Sequence, residues 1–108
     1  MLFRSPLGPW LATTDEIADV NNLNMWLTVN GKTFQNSNTS NLVFKIPFLV
    51  HYISQFMTLL PGDIISTGTP PGVGLGIKPN PIYIKEGDEI ELSIEGLGTS
   101  KQLAVAFK

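Results

Sequence analysis

The sequence predicts an α+β domain that is mainly β, with one main helix near residues 46–57. Short β-prone segments separated by Gly, Pro and Asn turns recur along the chain, and a single stretch has strong helical periodicity. The length of 108 residues, with 43% apolar and 15% charged residues, fits one globular domain. Since a domain this small buries a modest core, we expect part of its stability to come from a partner surface or from further sequence.

The first elements are predicted to be short. Residues 11–13 form a brief strand, and Thr14 then caps a brief helix whose first turn contains Asp15 and Glu16. Residues 25–29 and 32–35 pair as a hairpin around Asn30-Gly31, a strong two-residue turn signal. The polar residues 36–41 follow as a loop.

The main helix is predicted from apolar residues at spacings of three and four, with Pro47 tolerated in its first turn. If this stripe is core, Phe56→Ala should destabilise the fold by about 3 kcal/mol or more. The stripe comprises Ile46, Leu49, Val50, Ile53, Phe56 and Met57.

The second half is predicted to be β-rich. A turn at residues 61–63 leads into a strand at 64–67, and a turn at 86–88 leads into a strand at 89–94. A last strand covers residues 99–107, where apolar residues alternate with small or polar ones.

Charge and composition exclude several classes of partner. The net charge of -2 comes without a Lys/Arg cluster, so we expect no nucleic acid partner. The apolar runs are far shorter than the ~20 residues of a membrane helix, so we expect no membrane span. The absence of cysteine suits a reducing compartment, and the cytoplasm is the predicted location.

The polar side chains offer no catalytic residue and no metal ligand set. Glu89 and Glu91 could chelate a cation from one face of a strand, but the alternation with apolar residues favours an ordinary solvated face. His51 falls beside the helical stripe with no ligand partner at helical spacing, so it is interpreted as a solvent-facing or partner-contacting residue.

The loop at residues 67–76 is rich in Gly, Thr and Pro. Neither a Walker motif nor a dinucleotide fingerprint is present. A strand that ends in Thr-Gly-Thr-Pro-Pro-Gly brings a hydroxyl and open backbone amides to a sheet edge, which suits a small carboxylate or keto acid. A purely structural turn is the alternative that the spacing alone favours.

At these residues the chain closely resembles the C-terminal part of the fumarylacetoacetate hydrolase family. The resemblance covers nearly the whole chain from about Pro6, so residues 6–108 are interpreted as a partial C-terminal domain and residues 1–5 as a non-matching start. It rests on PLGPW at residues 6–10, TTDEIADVNNLNMWLTVNG at 13–31, NTSNLVFKIPFLVHYISQFMTLLPGDIISTGTPPGVGLG at 38–76 and GDEIELSIEGLGT at 87–99.

The resemblance implies a mixed β-sandwich roll, usually a homodimer, that binds a divalent cation such as Mg²⁺, Mn²⁺ or Ca²⁺. Family members act on β-diketo acids, acylpyruvates and related 2-oxo or enol acids by hydrolysis, decarboxylation or isomerisation through a metal-bound enolate. Thr69 matches the family's substrate-contacting threonine, and with Gly68 it is the predicted substrate-binding pair.

The family's Glu-x-Glu and Asp metal ligands and its His-Glu pair lie upstream of anything in this sequence, and Glu89-Ile90-Glu91 is not that motif. We therefore expect a fragment of a metal-dependent family enzyme, inactive by itself because the metal ligands are absent. The alternative is a catalytically inactive interaction module, or a half-domain that associates with itself or with a separate N-terminal half.

Overall fold

The computed structural model describes residues 6–106. Its centre is a four-stranded antiparallel sheet in the order β2-β1-β3-β4. One helix, α1, and two 3₁₀ turns lie outside the sheet, so the predicted α+β, mainly β class is confirmed. The predicted start at residues 1–5 lies outside the described residues. The strands are β1 (Asn24–Val29), β2 (Lys32–Asn38), β3 (Glu89–Ile94) and β4 (Thr99–Leu103); α1 is Ile46–Ser54.

The predicted hairpin is confirmed, and its turn also ties β1 to the start of β3. Asn30 has a φ of 50°, a left-handed conformation that asparagine tolerates better than most residues. Its side chain donates to Asp88 Oδ1 at 2.9 Å and accepts from the Glu89 N–H at 2.9 Å. One turn residue therefore fixes the register of two strand pairs.

The second strand of this hairpin is longer than predicted. Asn36 and Ser37 pair with Trp26 and Met25 of β1, so the cross-strand ladder overrides the low β propensity of short polar residues. The loop predicted at residues 36–41 is therefore wrong at residues 36–38. The strand ends at Asn38, whose side chain accepts from the Ser40 N–H at 2.8 Å and caps a 3₁₀ turn at Thr39–Asn41.

An irregularity in the hairpin register marks a β-bulge. Leu27 is opposite Gln35 and Thr28 is opposite Thr33, which leaves Phe34 as an extra residue in β2. A bulge changes the direction in which the neighbouring side chains point. Here it lies directly before Gln35.

The predicted strand at residues 11–13 and the brief helix after it are both wrong. Residues 14–16 form a turn closed by a hydrogen bond from the Glu16 N–H to the Thr13 carbonyl at 3.0 Å. The Asp19 carboxylate accepts from the Asn21 N–H at 2.9 Å. Residues 13–21 thus form local hydrogen-bonded turns in place of the predicted helix.

The main helix is confirmed but ends at Ser54, and residues 55–57 continue only as a turn. The Ser54 hydroxyl donates to the His51 carbonyl at 2.7 Å. This carbonyl therefore accepts from a side chain at the last residue of the helix. The apolar stripe is not a buried core, because Phe56 is 70% exposed and no residue of α1 is buried. The large effect predicted for Phe56→Ala therefore loses its structural basis.

The C-terminal half confirms both predicted turns and the strand at 89–94. The strand predicted at residues 64–67 is wrong, because these residues pair with no other segment among residues 6–106. The last strand ends at Leu103, opposite Glu89, the first residue of β3, and Ala104 then hydrogen-bonds to the turn residues Gly87 and Asp88. Phe107 lies outside the described residues.

The sheet does not enclose a hydrophobic core of its own. No hydrophobic side chain among the described residues is buried, and the buried residues are Gln35 and Thr39, at 9% and 8% exposure. The apolar face of β3, formed by Ile90, Leu92 and Ile94, is half-buried. Much of the apolar surface that this chain brings to the fold therefore remains open.

Candidate substrate site

A cleft of about 800 Å³ lies beside the sheet. One side is formed by residues 10–14 and by the beginning of α1, another by sheet residues such as Met25 and Ile94, and a third by residues 67–71. The cleft therefore brings the loop singled out in the sequence together with the first segment of the chain.

The cleft is mainly apolar. Its polar groups are hydroxyls and amides, among them Thr13, Thr39, Thr67 and Thr69, and none of its described lining residues carries a charged side chain. The Thr39 hydroxyl accepts from the Leu23 N–H at 2.8 Å, and Thr39 is only 8% exposed. A ligand in this cleft would find hydrogen-bond partners here but no cation.

Both predicted substrate-binding residues line the cleft and are exposed. Gly68 has a φ of 92°, a conformation that a side chain would strain, while the space around its missing Cβ is open. Thr69 follows it and presents a hydroxyl at the same edge. Gly68 and Thr69 thus lie at the cleft although the strand predicted before them is absent, and their role in substrate binding stays a prediction.

The structure adds Gln35, which the sequence reasoning did not select. Its Nε2 atom donates to Thr69 Oγ1 at 2.8 Å and to the Pro70 carbonyl at 2.7 Å. The sequence carries no signal for this contact, because the partners are 34 and 35 positions away and the aim of the side chain depends on the bulge at Phe34.

A glycine allows the loop to approach the bulge. A Cβ at Gly72 would overlap the Phe34 carbonyl and would lie 3.0 Å from Gln35 Cγ, and the residue has a φ of 111°. Only glycine fits such an approach without displacing the backbone. The Gly-rich composition thus serves packing of the loop against β2 as well as the opening at Gly68.

The described residues do not fit the divalent cation that the family resemblance implies. Within residues 6–106, no group of three or more His, Cys, Asp or Glu side chains could hold a metal. Glu91 Oε1 lies 3.1 Å from Lys101 Nζ on the half-exposed face of β3, while Glu89 is exposed. Glu89 is thus exposed and Glu91 is half-exposed in an ion pair, and the absence of metal ligands stays a prediction.

The lone histidine lies away from the cleft. His51 is exposed on α1, and its Nε2 atom is 3.0 Å from Gln55 Nε2. It does not line the cleft, in agreement with the interpretation of a solvent-facing residue.

Two exposed carboxyl groups have lowered pKa values. The Thr13 side chain hydrogen-bonds to Asp15 and lowers the pKa of that carboxyl at the edge of the cleft. The Lys85 backbone N–H, and then the Asn30 amide, lower the pKa of Asp88 in the turn before β3. Both groups are charged at neutral pH, and neither lines the cleft.

Comparison with known proteins identifies the family. The family profile described as fumarylacetoacetate (FAA) hydrolase C-terminal matches residues 3–104. The chain belongs to the fumarylacetoacetate hydrolase family. The profile covers both the hairpin and the loop that form the cleft.

Three relatives show how the chain relates to other members of the fumarylacetoacetate hydrolase family. A Burkholderia multivorans protein named as a hydrolase is 54% identical over 103 residues, which are 95% of this chain and 36% of that protein. The maleylpyruvate hydrolase of Sphingobium sp. SYK-6, solved with manganese(II) and pyruvate, is 42% identical with a TM-score of 0.80 over 91% of this chain and 34% of its own. The 5-carboxymethyl-2-hydroxymuconate delta-isomerase of Mycobacterium smegmatis is 42% identical with a TM-score of 0.78 over 93% of this chain and 36% of its own.

These fumarylacetoacetate hydrolase family relatives support an enzyme of the hydrolase or isomerase class, and the manganese complex supports a divalent cation in the family. The chain spans about a third of the length of the relatives it matches. Across residues 6–106, the structure contains no helix with the length and apolar character needed to cross a bilayer.

Proposed function

We propose that this chain is the part of a fumarylacetoacetate hydrolase family enzyme that contacts the acid end of a β-diketo, acylpyruvate or other 2-oxo or enol acid. The reaction would be hydrolysis, decarboxylation or isomerisation of that acid. Family membership and the named activities of the relatives support the class. Thr69 and Gly68 are the proposed contacts.

The observation that carries the proposal is the placement of the Thr69 hydroxyl at the edge of an apolar, uncharged cleft. A hydroxyl and an unobstructed backbone suit a carboxylate or oxo oxygen, which only accepts hydrogen bonds. Since the apolar walls offer little else to a polar ligand, these few groups would set its orientation.

A divalent cation would have to be held by residues outside those described here, because residues 6–106 contain no suitable ligand cluster. The purified chain is accordingly proposed to be inactive. Its contribution would be to bind and orient the substrate.

The proposal is tested by supplying the remainder of the fold. We define the completed protein as the Sphingobium maleylpyruvate hydrolase in which this chain replaces the matching 34% of the sequence. The completed protein is expected to hydrolyse maleylpyruvate in the presence of Mn²⁺, and the chain alone is not. A completed protein that folds and binds Mn²⁺ but neither binds pyruvate nor turns over maleylpyruvate would contradict the proposal.

A second function is favoured by the open apolar surface. Phe44, Phe48, Tyr52 and Phe56 form a row along α1 with successive ring centroids 5.2, 6.0 and 5.1 Å apart, and each is at least 47% exposed. Protein–protein contacts are one of the roles of contiguous exposed apolar patches. The chain would then be a half-domain whose partner is a separate polypeptide carrying the other two-thirds of the family fold.

Mixing experiments distinguish this function from the first. The chain is mixed with a separate polypeptide that contains the remaining part of the Sphingobium hydrolase, and the mass of the complex is measured by light scattering. A 1:1 complex that Phe48→Asp weakens, while the exposed-residue control Lys78→Asp does not, supports a half-domain. Absence of a complex, with both chains folded, contradicts it.

Two further properties are proposed from the resemblance and the composition. The full-length protein would be a homodimer, which the light-scattering mass of the completed protein tests. The cytoplasm would be its location, since a chain without cysteine forms no disulfide and suits a reducing compartment. Fractionation of cells that express the protein tests this location.

A further inference from the structure

Gln35 is one of the two buried polar residues among residues 6–106, with 9% of its surface exposed. Both hydrogen atoms of its amide nitrogen are used, one toward Thr69 Oγ1 and one toward the Pro70 carbonyl. The side chain therefore connects the sheet to two consecutive residues of the cleft loop.

The contact with Pro70 fixes the orientation of the amide. A backbone carbonyl only accepts hydrogen bonds, so the Gln35 atom 2.7 Å from the Pro70 oxygen must be the NH₂ nitrogen and not the amide oxygen. The same nitrogen faces Thr69. Thr69 Oγ1 is thus the acceptor in that contact, and its own hydrogen remains available for another partner.

The backbone around this contact holds it in place. The bulge at Phe34 determines the direction of the Gln35 side chain, and Gly72 brings the loop against the Phe34 carbonyl. Gln35 therefore meets the loop where the backbones of β2 and of the loop lie close together.

We propose that Gln35 is a positioning residue for substrate binding, which acts by holding the Thr69 hydroxyl as a hydrogen-bond donor toward the cleft. This inference rests on the proposed function, because it assigns to Gln35 the orientation of the proposed substrate contact. With one lone pair of Thr69 Oγ1 occupied by the Gln35 N–H, the hydroxyl hydrogen is free to be donated to an acceptor, such as a carboxylate or 2-oxo oxygen.

The test measures pyruvate affinity of the Mn²⁺-loaded completed protein by calorimetry. Gln35→Met removes both donors at similar volume and is expected to weaken pyruvate binding about tenfold, as loss of a well-oriented hydrogen bond to a charged ligand would. Gln35→Glu keeps the shape but presents only acceptors, and the same loss is expected. Asn36→Asp makes the same amide-to-carboxylate change at the exposed neighbouring position and should leave the affinity unchanged.

A double-mutant cycle separates positioning from support of the fold. If Gln35 acts through the hydroxyl, Gln35→Met weakens pyruvate binding about tenfold in the protein that retains Thr69. In the Thr69→Val background the same change weakens binding less than about twofold. Thr69→Ser, which keeps the hydroxyl, should restore the sensitivity to Gln35→Met. Equal losses in both backgrounds would overturn the inference.

The outcomes also separate this inference from the proposed function. A loss with Thr69→Val but none with either Gln35 variant overturns the role of Gln35 and leaves the proposed function intact. No loss with Thr69→Val overturns the proposed contact itself, and the role of Gln35 with it.

A measurement that needs no Gln35 variant covers the case in which both variants fail to fold. Hydrogen exchange of the Gln35 side-chain amide is followed by NMR in the unaltered completed protein and in Thr69→Val. Both hydrogens are expected to exchange more slowly than those of exposed Asn36, and one should become faster in Thr69→Val. Exchange of Gln35 as fast as that of Asn36 would overturn the inference.

Discussion

Gln35 Nε2 lies 2.8 Å from Thr69 Oγ1, which joins the central hairpin to the cleft loop across 34 positions of sequence. The pair connects the fold to the candidate chemistry, because Gln35 is buried in the sheet and Thr69 is exposed at the cleft. Changes at Gln35 and at Thr69 are therefore expected to have coupled effects on ligand binding.

Gly72→Ala is expected to displace the loop. The new Cβ would overlap the Phe34 carbonyl, and the φ of 111° is strained for alanine, so the free energy of unfolding of the completed protein should fall by about 2 kcal/mol or more. Denaturant unfolding measures this. Gly76→Ala is the control in the same loop, because its Cβ would meet only Val73 Cγ2 at 3.4 Å. Equal stability of the two variants would contradict the close packing at Gly72.

Phe56→Ala is expected to have a small effect in the purified chain. Phe56 is 70% exposed and contacts the Tyr52 ring at a centroid distance of 5.1 Å, so the loss should be less than about 1 kcal/mol. Thermal unfolding of the chain and of the completed protein gives the comparison. A larger loss in the completed protein would show that the remainder of the fold covers the aromatic row. A loss of several kcal/mol in the chain alone would contradict the exposure of Phe56.

Stability is expected to decrease in acid as Asp88 is protonated. The Lys85 N–H donates to Asp88 Oδ2 at 2.7 Å and, with the Asn30 amide, lowers the pKa of the folded state below that of the unfolded state. Because the pKa is lower in the folded state, the ionised carboxylate stabilises the fold at pH values above the unfolded-state pKa of ~4. This contribution is lost as the pH falls through the folded-state pKa. Asp88→Asn should flatten this part of the pH profile of unfolding. An unchanged profile would contradict the role of the turn.

Metal binding is expected to require residues beyond those described. Calorimetric titration of the purified chain with Mn²⁺ or Mg²⁺, with and without oxalate, should give no binding, because Glu89 and Glu91 do not form part of a ligand cluster. The completed protein is the positive control. Micromolar binding to the chain alone would show that these carboxylates form a metal site.

The sequence predicted best where a local signal decides the structure. Asn30-Gly31 defines the hairpin, and the Glu86-Gly87-Asp88 turn defines the beginning of β3. It failed at residues 36–38, where pairing with β1 overrides polar side chains, and at 64–67, where a β-prone segment has no described neighbour. Pairing depends on residues far away in the chain, which local propensity does not report.

The candidate site was predicted in part for the same reason. Thr69 and Gly68 belong to a local motif that is visible in the sequence, and both line the cleft. Gln35 was missed because its role depends on a bulge and on a glycine contact between distant segments. The apolar stripe of α1 was misinterpreted as core because periodicity gives the face of a helix but not what covers it.

The most direct test of the central claim is the affinity of the Mn²⁺-loaded completed protein for pyruvate with Thr69→Val. Thr99→Val, an exposed threonine on β4 away from the cleft, is the control. We expect Thr69→Val to weaken pyruvate binding about tenfold and the control to leave it unchanged, because Thr69 lines the cleft and Thr99 does not. Equal affinities of Thr69→Val and the unaltered protein would contradict the claim that this loop contacts the acid.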